Sequence, residues 1–480
     1  MKEGYIKQAD RKKILLLSDD IRFTSGIATM AKEMVIGTAH HYNWVNLGAA
    51  IQHPEHGKRL DVCGDTNMIA GIDDSSVFIY PHNGYGTPEV IRQLLELEKP
   101  DAIVFFTDPR YWIWLFQIEN EIRKKVPMIF LNIWDDLPAP LYNKPYYESC
   151  DGIMAISKQT KNINDMVLGS KAKDKVIKYV PHGINENVFY PIKADNKEDK
   201  QRLQEMRMKL FEFNQPEYVV MYNARNIRRK CTSDLIAGYA EFCDKIGKEK
   251  AKKCALVLHT QPLDENGTDL PAVIDLLCDP EYQRVVFSDH KYSPQEMNTL
   301  YNTADVVALI SSNEGWGLSL TEGMMCGKMI IGTVTGGMQD QMRFEDENGN
   351  WLELTPDLPS NHFGTYKKHG EWAVPVFPSN MSIVGSIPTP YIFDDRADFR
   401  DIANAIEVVY NLSPEERSRR GMKAREWVTS DESMQSARWM CKNAISAVDG
   451  TMANWKPRKS FELLKIEKLP RKKLVHPLVY

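Results

Sequence analysis

The chain lacks any run of about 18 apolar residues, so no membrane-spanning helix is expected. Its first residues, Met1-Lys2-Glu3-Gly4-Tyr5, are polar and lack the apolar stretch of a secretory signal. Cysteine is scarce, with 8 in 480 residues, and no two form a C-x-x-C pair. That spacing argues against a zinc site and against a disulfide framework, and it points to a reduced, cytoplasmic protein. Neither half supplies a G-x-G-x-x-G turn after a strand, which argues against a nicotinamide-dependent dehydrogenase. A clear D-x-D metal motif is missing too. The adjacent pairs Asp19-Asp20, Asp73-Asp74, Asp135-Asp136 and Asp394-Asp395 read as surface turns. A net charge of −5 excludes a globally basic nucleic-acid binder. No repeat at a solenoid period is visible.

What is present is ordinary in composition, with 43% hydrophobic and 26% charged residues, and long enough at 480 residues for two domains. Apolar runs at 14–17, 44–47, 77–80, 102–106, 128–131, 153–156 and 176–180 alternate with helix-like stretches. After a charged segment at 193–204, a second series follows at 219–222, 255–258, 285–287, 306–310 and 329–331. Alternation of this kind implies parallel sheets covered by helices on both faces, in two doubly wound units. The expected division is an N-terminal domain at 1–192, a C-terminal domain at 193–432, a crossover helix within 433–455 and a tail at 456–480. Residues 356–395, rich in proline, glycine and aromatics, break the rhythm and read as an insertion, either a lid, an acceptor-shaping element or a surface excursion. The tail carries Lys456, Arg458, Lys459, Lys465, Lys468, Arg471, Lys472 and Lys473 against Glu462 and Glu467. A solvated tail is the plainer reading, and docking on an anionic surface, nucleic acid or membrane, is the functional one.

The most informative stretch runs from Ser311 to Gly337. An apolar run delivers a loop bearing Gly315 and Gly317, a short helix follows, and a second apolar run closes the unit. A helix start presents free N–H groups and partial positive charge, which suits a phosphate. Glu314 lies before that helix and Glu322 inside it, so a carboxylate flanks the anion site on each side to accept hydrogen bonds from hydroxyls. A similar arrangement follows the run at 219–222, where Arg225, Arg228, Arg229 and Lys230 crowd the turn beyond the strand.

Glu314 and Glu322 match the E-x7-E signature, and the chain resembles retaining glycosyltransferases of the two-Rossmann GT-B fold, the family-4, glycogen-synthase-like type. The resemblance spans about residues 12–450. It implies two Rossmann-like domains facing across a cleft, with the last helix packing back on the first domain. Arg225 and Lys230 match the pair that clamps the donor diphosphate, with Ala224 and Cys231 where glycines are usual. Gly26 matches a glycine loop facing the donor phosphates, and Trp316, Gly317, Leu318 and Ser319 open the helix toward them. Tyr292 falls in the loop that holds the nucleotide base. Val180-Pro181-His182-Gly183-Ile184-Asn185 and Phe189-Tyr190-Pro191 resemble the hinge signature, with His182 and Asn185 replacing Asn and Asp. Gly336-Gly337 match a second glycine loop, with Asp340 in place of Glu. Trp134 stands where the family often has a histidine, so Asp135 or Asp108 becomes an acceptor-side candidate.

The implied activity is transfer of a sugar from a nucleotide-diphosphate sugar to an acceptor hydroxyl, with retention. Glu314 would hold the sugar, Glu322 the ribose, and Arg225 and Lys230 the leaving group. The nucleotide sugar is a co-substrate; no further cofactor and no metal is expected. The acceptor stays open among saccharide, lipid carrier, small metabolite and nucleic-acid base. An epimerase or hydrolase of the same fold, or a non-catalytic nucleotide-sugar binding module, are the alternatives.

Overall fold

The computed structural model describes residues 4–193, 195–358 and 361–459. Two parallel sheets organise it. The first contains β1 (Lys12–Asp19), β2 (Tyr42–Ala50), β3 (Leu60–Asp61), β4 (Val77–Asn83), β5 (Ala102–Phe106), β6 (Met128–Asn132), β7 (Gly152–Ala155) and β8 (Val176–Tyr179), in the order 3-4-2-1-5-6-7-8. All its pairings are parallel except that of β3 with β4. The second contains β9 (Tyr218–Asn223), β10 (Cys254–His259), β11 (Val285–Phe287), β12 (Val306–Leu309), β13 (Met329–Thr333) and β14 (Ala373–Val376), in the order 11-10-9-12-13-14. Central strands such as β5, β6, β12 and β13 are buried at every residue, because helices cover both faces. Both sheets reverse strand order at their centres, and ligands of open α/β sheets bind beyond strand ends at such points. This is the two-domain GT-B architecture.

The span 356–395 is not an insertion throughout. It contains β14, the edge strand of the second sheet, paired in parallel with β13 from Ile330↔Ala373 to Thr333↔Val376. Pro375 lies within it, and an edge strand is where proline is tolerated in a sheet. The excursion proper is an antiparallel hairpin of β15 (Asn380–Ser386) and β16 (Thr389–Arg396). Beyond it, the Asp398 side chain accepts from Arg400 N and starts the helix Phe399–Tyr410.

The last helix, Ala437–Asn454, lies within the expected 433–455 and begins four residues later than 433. It packs on the helix Gly26–Thr38 and on β7 and β8 of the first domain. Ile184 bridges to Ser436 at this crossing, and a Cβ on Gly183 would collide with the Ser436 carbonyl, so only glycine fits there. Asp449 accepts from Tyr42 Oη at 2.7 Å. The tail's first residues continue onto the first domain: Arg458 N donates to Arg123 O at 3.0 Å, and its guanidinium meets Asn120 Oδ1 at 2.8 Å. The remaining cations of the tail, from Lys465 on, lie outside the described residues. No described helix is long and apolar enough to cross a membrane.

Asp340 joins the two domains. Its carboxyl accepts from Lys158 N at 2.9 Å and Tyr179 Oη at 3.0 Å, both in the first domain. Burial pushes it up to about 7, against the opposing pull of those bonds. Between its ordinary value of 3.8 and about 7, the unfolded chain releases a proton that the folded protein keeps. Stability therefore falls as pH rises through that window. We expect Asp340→Asn to flatten this decline in urea unfolding followed from about pH 4 to about pH 8. An unchanged slope would contradict a neutral carboxyl at the domain junction.

Candidate active site

Two cavities lie at the seam between the domains, each lined by residues of both. One, of 630 Å³, is lined by Gly26, Trp134, Asp135, Glu314, Gly317 and Leu318 among others. The second, of 770 Å³, is lined by Thr24, Thr29, Arg225, His259, Tyr292 and Glu322 among others. Both volumes lie in the range of small-molecule sites, roughly 300–1,000 Å³.

Glu314 sits in the loop after β12 and is buried. Its Oε2 accepts from Lys230 Nζ, from Arg229 Nη1 at 3.2 Å and from Ser311 Oγ at 3.2 Å. Burial works to raise its pKa, but Lys230 and then Arg229 outweigh it and hold the carboxylate down at about 2. Burial also lowers the Lys230 ammonium, which Glu314 counteracts. A buried charge survives only with such partners. The backbone of Gly336-Gly337 braces this loop. Gly337 N donates to Glu314 O at 2.9 Å, and a Cβ on Gly336 or Gly337 would collide with the carbonyls of Glu314 or Gly315.

The helix Leu318–Met325 starts at Gly317, whose φ of 89° favours glycine, and it carries Glu322 one turn beyond Leu318. Leu318 lines the first cavity and Glu322 the second. Glu322 accepts from Tyr301 Oη and from Asn223 Nδ2 at 3.5 Å, and burial pushes it up to about 7 against those bonds. Across the cleft, the helix Gly26–Thr38 opens with Ser25 as cap, its Oγ accepting from Ala28 N at 3.0 Å. A Cβ at Gly26 would lie 3.5 Å from Leu318 Cδ1. Two helix starts thus face each other, with Gly26 and Leu318 on the wall of the first cavity and Thr24, Thr29 and Glu322 of the same two segments on that of the second.

In the second cavity, the rings of Tyr292 and His259 stack with centroids 5.5 Å apart. Arg225 lines this cavity as well, exposed to solvent and bonded to Asp264, with Nε to Oδ2 at 2.7 Å. It does not stand beside Lys230. That place belongs to Arg229, because the 3-10 turn Arg228–Lys230 aims Arg229 and Lys230 at Glu314. Lys230 lies behind Glu314 and lines neither cavity. Trp316 is fully buried with its Nε1 donating to Thr321 Oγ1 at 3.0 Å, and Ser319 is buried and lines neither cavity.

On the opposite wall, Trp134 is buried and donates from Nε1 to Asp136 O at 3.1 Å. Asp108 is held by the Arg110 guanidinium, with Nε to Oδ1 at 2.8 Å. Burial pushes Asp135 up to about 6, with Arg229 opposing and Glu314 adding to the rise. Asp136 is raised as well, by burial and then by Asp135. The reading of Asp135-Asp136 as a surface turn is therefore corrected: both line the first cavity. Asp394-Asp395 is no surface turn either. Ser312 Oγ donates to Asp394 Oδ1 at 2.7 Å and Thr335 Oγ1 to Asp395 Oδ2 at 2.7 Å, so this pair docks the hairpin on the second domain. On the first domain, Phe393 N donates to Leu137 O at 2.6 Å and Tyr142 Oη to Tyr391 O at 2.9 Å. The hairpin is a strap across the seam.

Sequence reasoning did not single out Asp136 or His259 as parts of the site, and it offered 356–395 as a lid, an acceptor-shaping element or a surface excursion without placing the hairpin within it. The β-branched residues around Gly385-Ser386 were the available signal for the hairpin. His182, buried and pushed down to about 3 by burial, is neutral on the cavity wall. Among the described residues, no three His, Cys, Asp or Glu side chains gather as a metal site.

Comparison with known proteins follows this geometry. Residues 282–357, which hold Tyr292, Glu314, Glu322 and Asp340, match the family model of glycosyl transferases group 1. A D-inositol 3-phosphate glycosyltransferase of Corynebacterium jeikeium (strain K411) is 26% identical over 188 residues, 38% of this chain and 42% of the relative. The chain thus spans less than half the length of the curated relative it matches. Among solved structures, HepE of Anabaena in complex with UDP and glucose superposes with a TM-score of 0.62 at 14% identity, covering 92% of this chain and 100% of that one. Sucrose-phosphate synthase of Thermosynechococcus elongatus gives 0.62 at 15% identity with the same coverage. The fold is therefore that of the GT-B glycosyltransferases, and the matched segment is the part of the second domain that carries both glutamates.

The glycine brace has a direct test. Gly337→Ala places a methyl against the Gly315 carbonyl and should cost about 1–3 kcal/mol in urea unfolding, as overpacking does. Gly64→Ala, in a helix with open space around it, should cost nothing. Equal stability of the two variants would contradict the brace.

Proposed function

We propose that this protein is a glycosyltransferase that moves a sugar from a nucleotide-diphosphate sugar to an acceptor hydroxyl with retention at the anomeric carbon. The observation that carries this reading is the helix Leu318–Met325, whose start faces Gly26, with Glu314 in the loop before it lining one cavity and Glu322 one turn inside it lining the other. The nucleoside occupies the larger cavity, its base against Tyr292 and His259 and its ribose at Glu322. The diphosphate lies between the two helix starts, where free N–H groups and partial positive charge meet it. Arg225 reaches it from the base side. The sugar enters the smaller cavity beside Glu314.

Transfer proceeds through an oxocarbenium-like state as negative charge grows on the departing diphosphate. The acceptor oxygen bonds to the anomeric carbon while the bond from that carbon to the diphosphate oxygen breaks, and the acceptor proton passes to the leaving diphosphate. The donor N–H groups and cations are in place beforehand, so stabilising the leaving group requires little reorganisation. Lys230 fixes Glu314 from behind, and its charge acts on the site across that carboxylate.

Glu322→Ala should weaken binding of UDP, read by calorimetry, whereas Glu314→Ala should leave UDP binding nearly intact and abolish most sugar transfer. Equal effects of both on UDP affinity would contradict this division. UDP is the probe because solved neighbours hold it; GDP and ADP belong in the same screen. Lys230→Ala should lower turnover by about 10²-fold, the usual loss for one preorganised charge. Near-normal release of nucleoside diphosphate from the variant would remove Lys230 from the site.

A further inference from the structure

The smaller cavity says something about the acceptor, given the transferase reading above. Two of its lining residues are cations, Arg110 and Arg229. Both are already engaged. Arg110 meets Asp108 through Nε at 2.8 Å and a second contact from Nη2, and its guanidinium lies 5.5 Å from the Trp134 ring centre. Arg229 Nη1 donates to Asn313 O at 2.8 Å and to Glu314 Oε2 at 3.2 Å. Against them the same wall carries Asp108, Asp135, Asp136 and Glu314. An anion entering here would compete with Asp108 and Glu314 for cations they already hold, and it would sit beside Asp135 and Asp136, where burial already disfavours negative charge. Both effects are costly where water is thin.

Hydrogen-bonding capacity, in contrast, is left open. Asp136 Oδ1, Thr389 Oγ1 and His182 Nδ1 are buried without a protein partner, and all three residues line this cavity. Buried polar atoms without partners are rare and call for an explanation, and a hydroxyl-bearing molecule in the cavity that these residues line supplies one. A carboxylate oxygen accepts from hydroxyls, and the Thr389 hydroxyl can donate or accept. Between these groups the wall is apolar, with Ile133, Trp134, Ile156 and Ile392 presenting surface to C–H faces. Thr389 and Ile392 come from the strapped hairpin, which docks on Ser312 and Asn313 beside Glu314 and supplies part of the wall of this 630 Å³ cavity.

We infer that the acceptor is an uncharged polyhydroxylated molecule of sugar size, held through its hydroxyls by Asp135, Asp136 and Thr389, and that phosphorylated acceptors are discriminated against. The inference depends on the transferase reading, and its test separates the two. Release of nucleoside diphosphate from UDP-glucose, GDP-mannose and ADP-glucose is measured with glucose, maltose and myo-inositol. The same assay is run with glucose 6-phosphate, fructose 6-phosphate, inositol 3-phosphate and duplex DNA. With the active donor, a neutral acceptor should give kcat/KM at least tenfold above any phosphorylated counterpart. Asp136→Asn should lower kcat/KM for the neutral acceptor about tenfold, mainly through KM, with UDP affinity and thermal midpoint unchanged. Thr389→Val gives a second, uncharged check in the same direction. Preference for a phosphorylated sugar or for DNA overturns the acceptor class while the transferase reading stands. Absence of release with every pair, together with no UDP binding by calorimetry, overturns both.

Discussion

The ion pair of Glu314 with Lys230 and Arg229 is the interaction on which the rest of the site depends. A carboxylate taken out of water is expensive, and here two cations from the turn after β9 meet one from the loop after β12. These strands are neighbours in the second sheet, paired at Val306↔Val220 and Val307↔Met221. The pairing sets the distance between the two loops before any side chain is placed. The glycine pair after β13 then locks the backbone of the Glu314 loop from the other side. Three adjacent strand ends thus converge on one carboxylate, and the helix that starts three residues later inherits their rigidity.

That rigidity extends across the seam. Asp340, three residues beyond Gly337, takes hydrogen bonds from Lys158 and Tyr179 of the first domain. Gly315 approaches the Ile133 carbonyl so closely that a Cβ there would lie 2.8 Å from it. The hairpin adds a third tie, since Asp394 and Asp395 grip the second domain while Phe393 and Tyr391 grip the first. Both helix starts are held in register by these ties, which is what a ligand spanning two cavities needs. Trp134, in place of a polar residue, contributes an apolar wall instead of a hydrogen bond to what lies in the smaller cavity.

Much of this was legible in the chain. The strands of both sheets apart from β3 and β14 follow from apolar runs of the right length, because buried parallel strands need apolar residues on both faces. Glu314 and Glu322 were readable because glycines mark the loop and a helix must follow. What was not legible depends on side-chain direction. Arg225, Arg228, Arg229 and Lys230 are four cations within six positions, and only the 3-10 turn decides that Arg229 joins Lys230 on Glu314. The hairpin escaped because Pro375, just before it, obscured an edge strand and left 356–395 looking like one excursion. Asp135-Asp136 resembled a turn pair because burial, which sets their character, comes from the facing domain.

The central claim is that one nucleotide sugar bridges both cavities along the helix Leu318–Met325. A crystal structure of the protein with the best-binding of UDP-glucose, GDP-mannose and ADP-glucose tests it most directly. The account predicts the base against Tyr292 and His259, the ribose at Glu322, the diphosphate between Gly26 and Leu318, and the sugar within reach of Glu314. A nucleotide bound away from Glu322, or a sugar lying outside the cavity that holds Glu314, would contradict it.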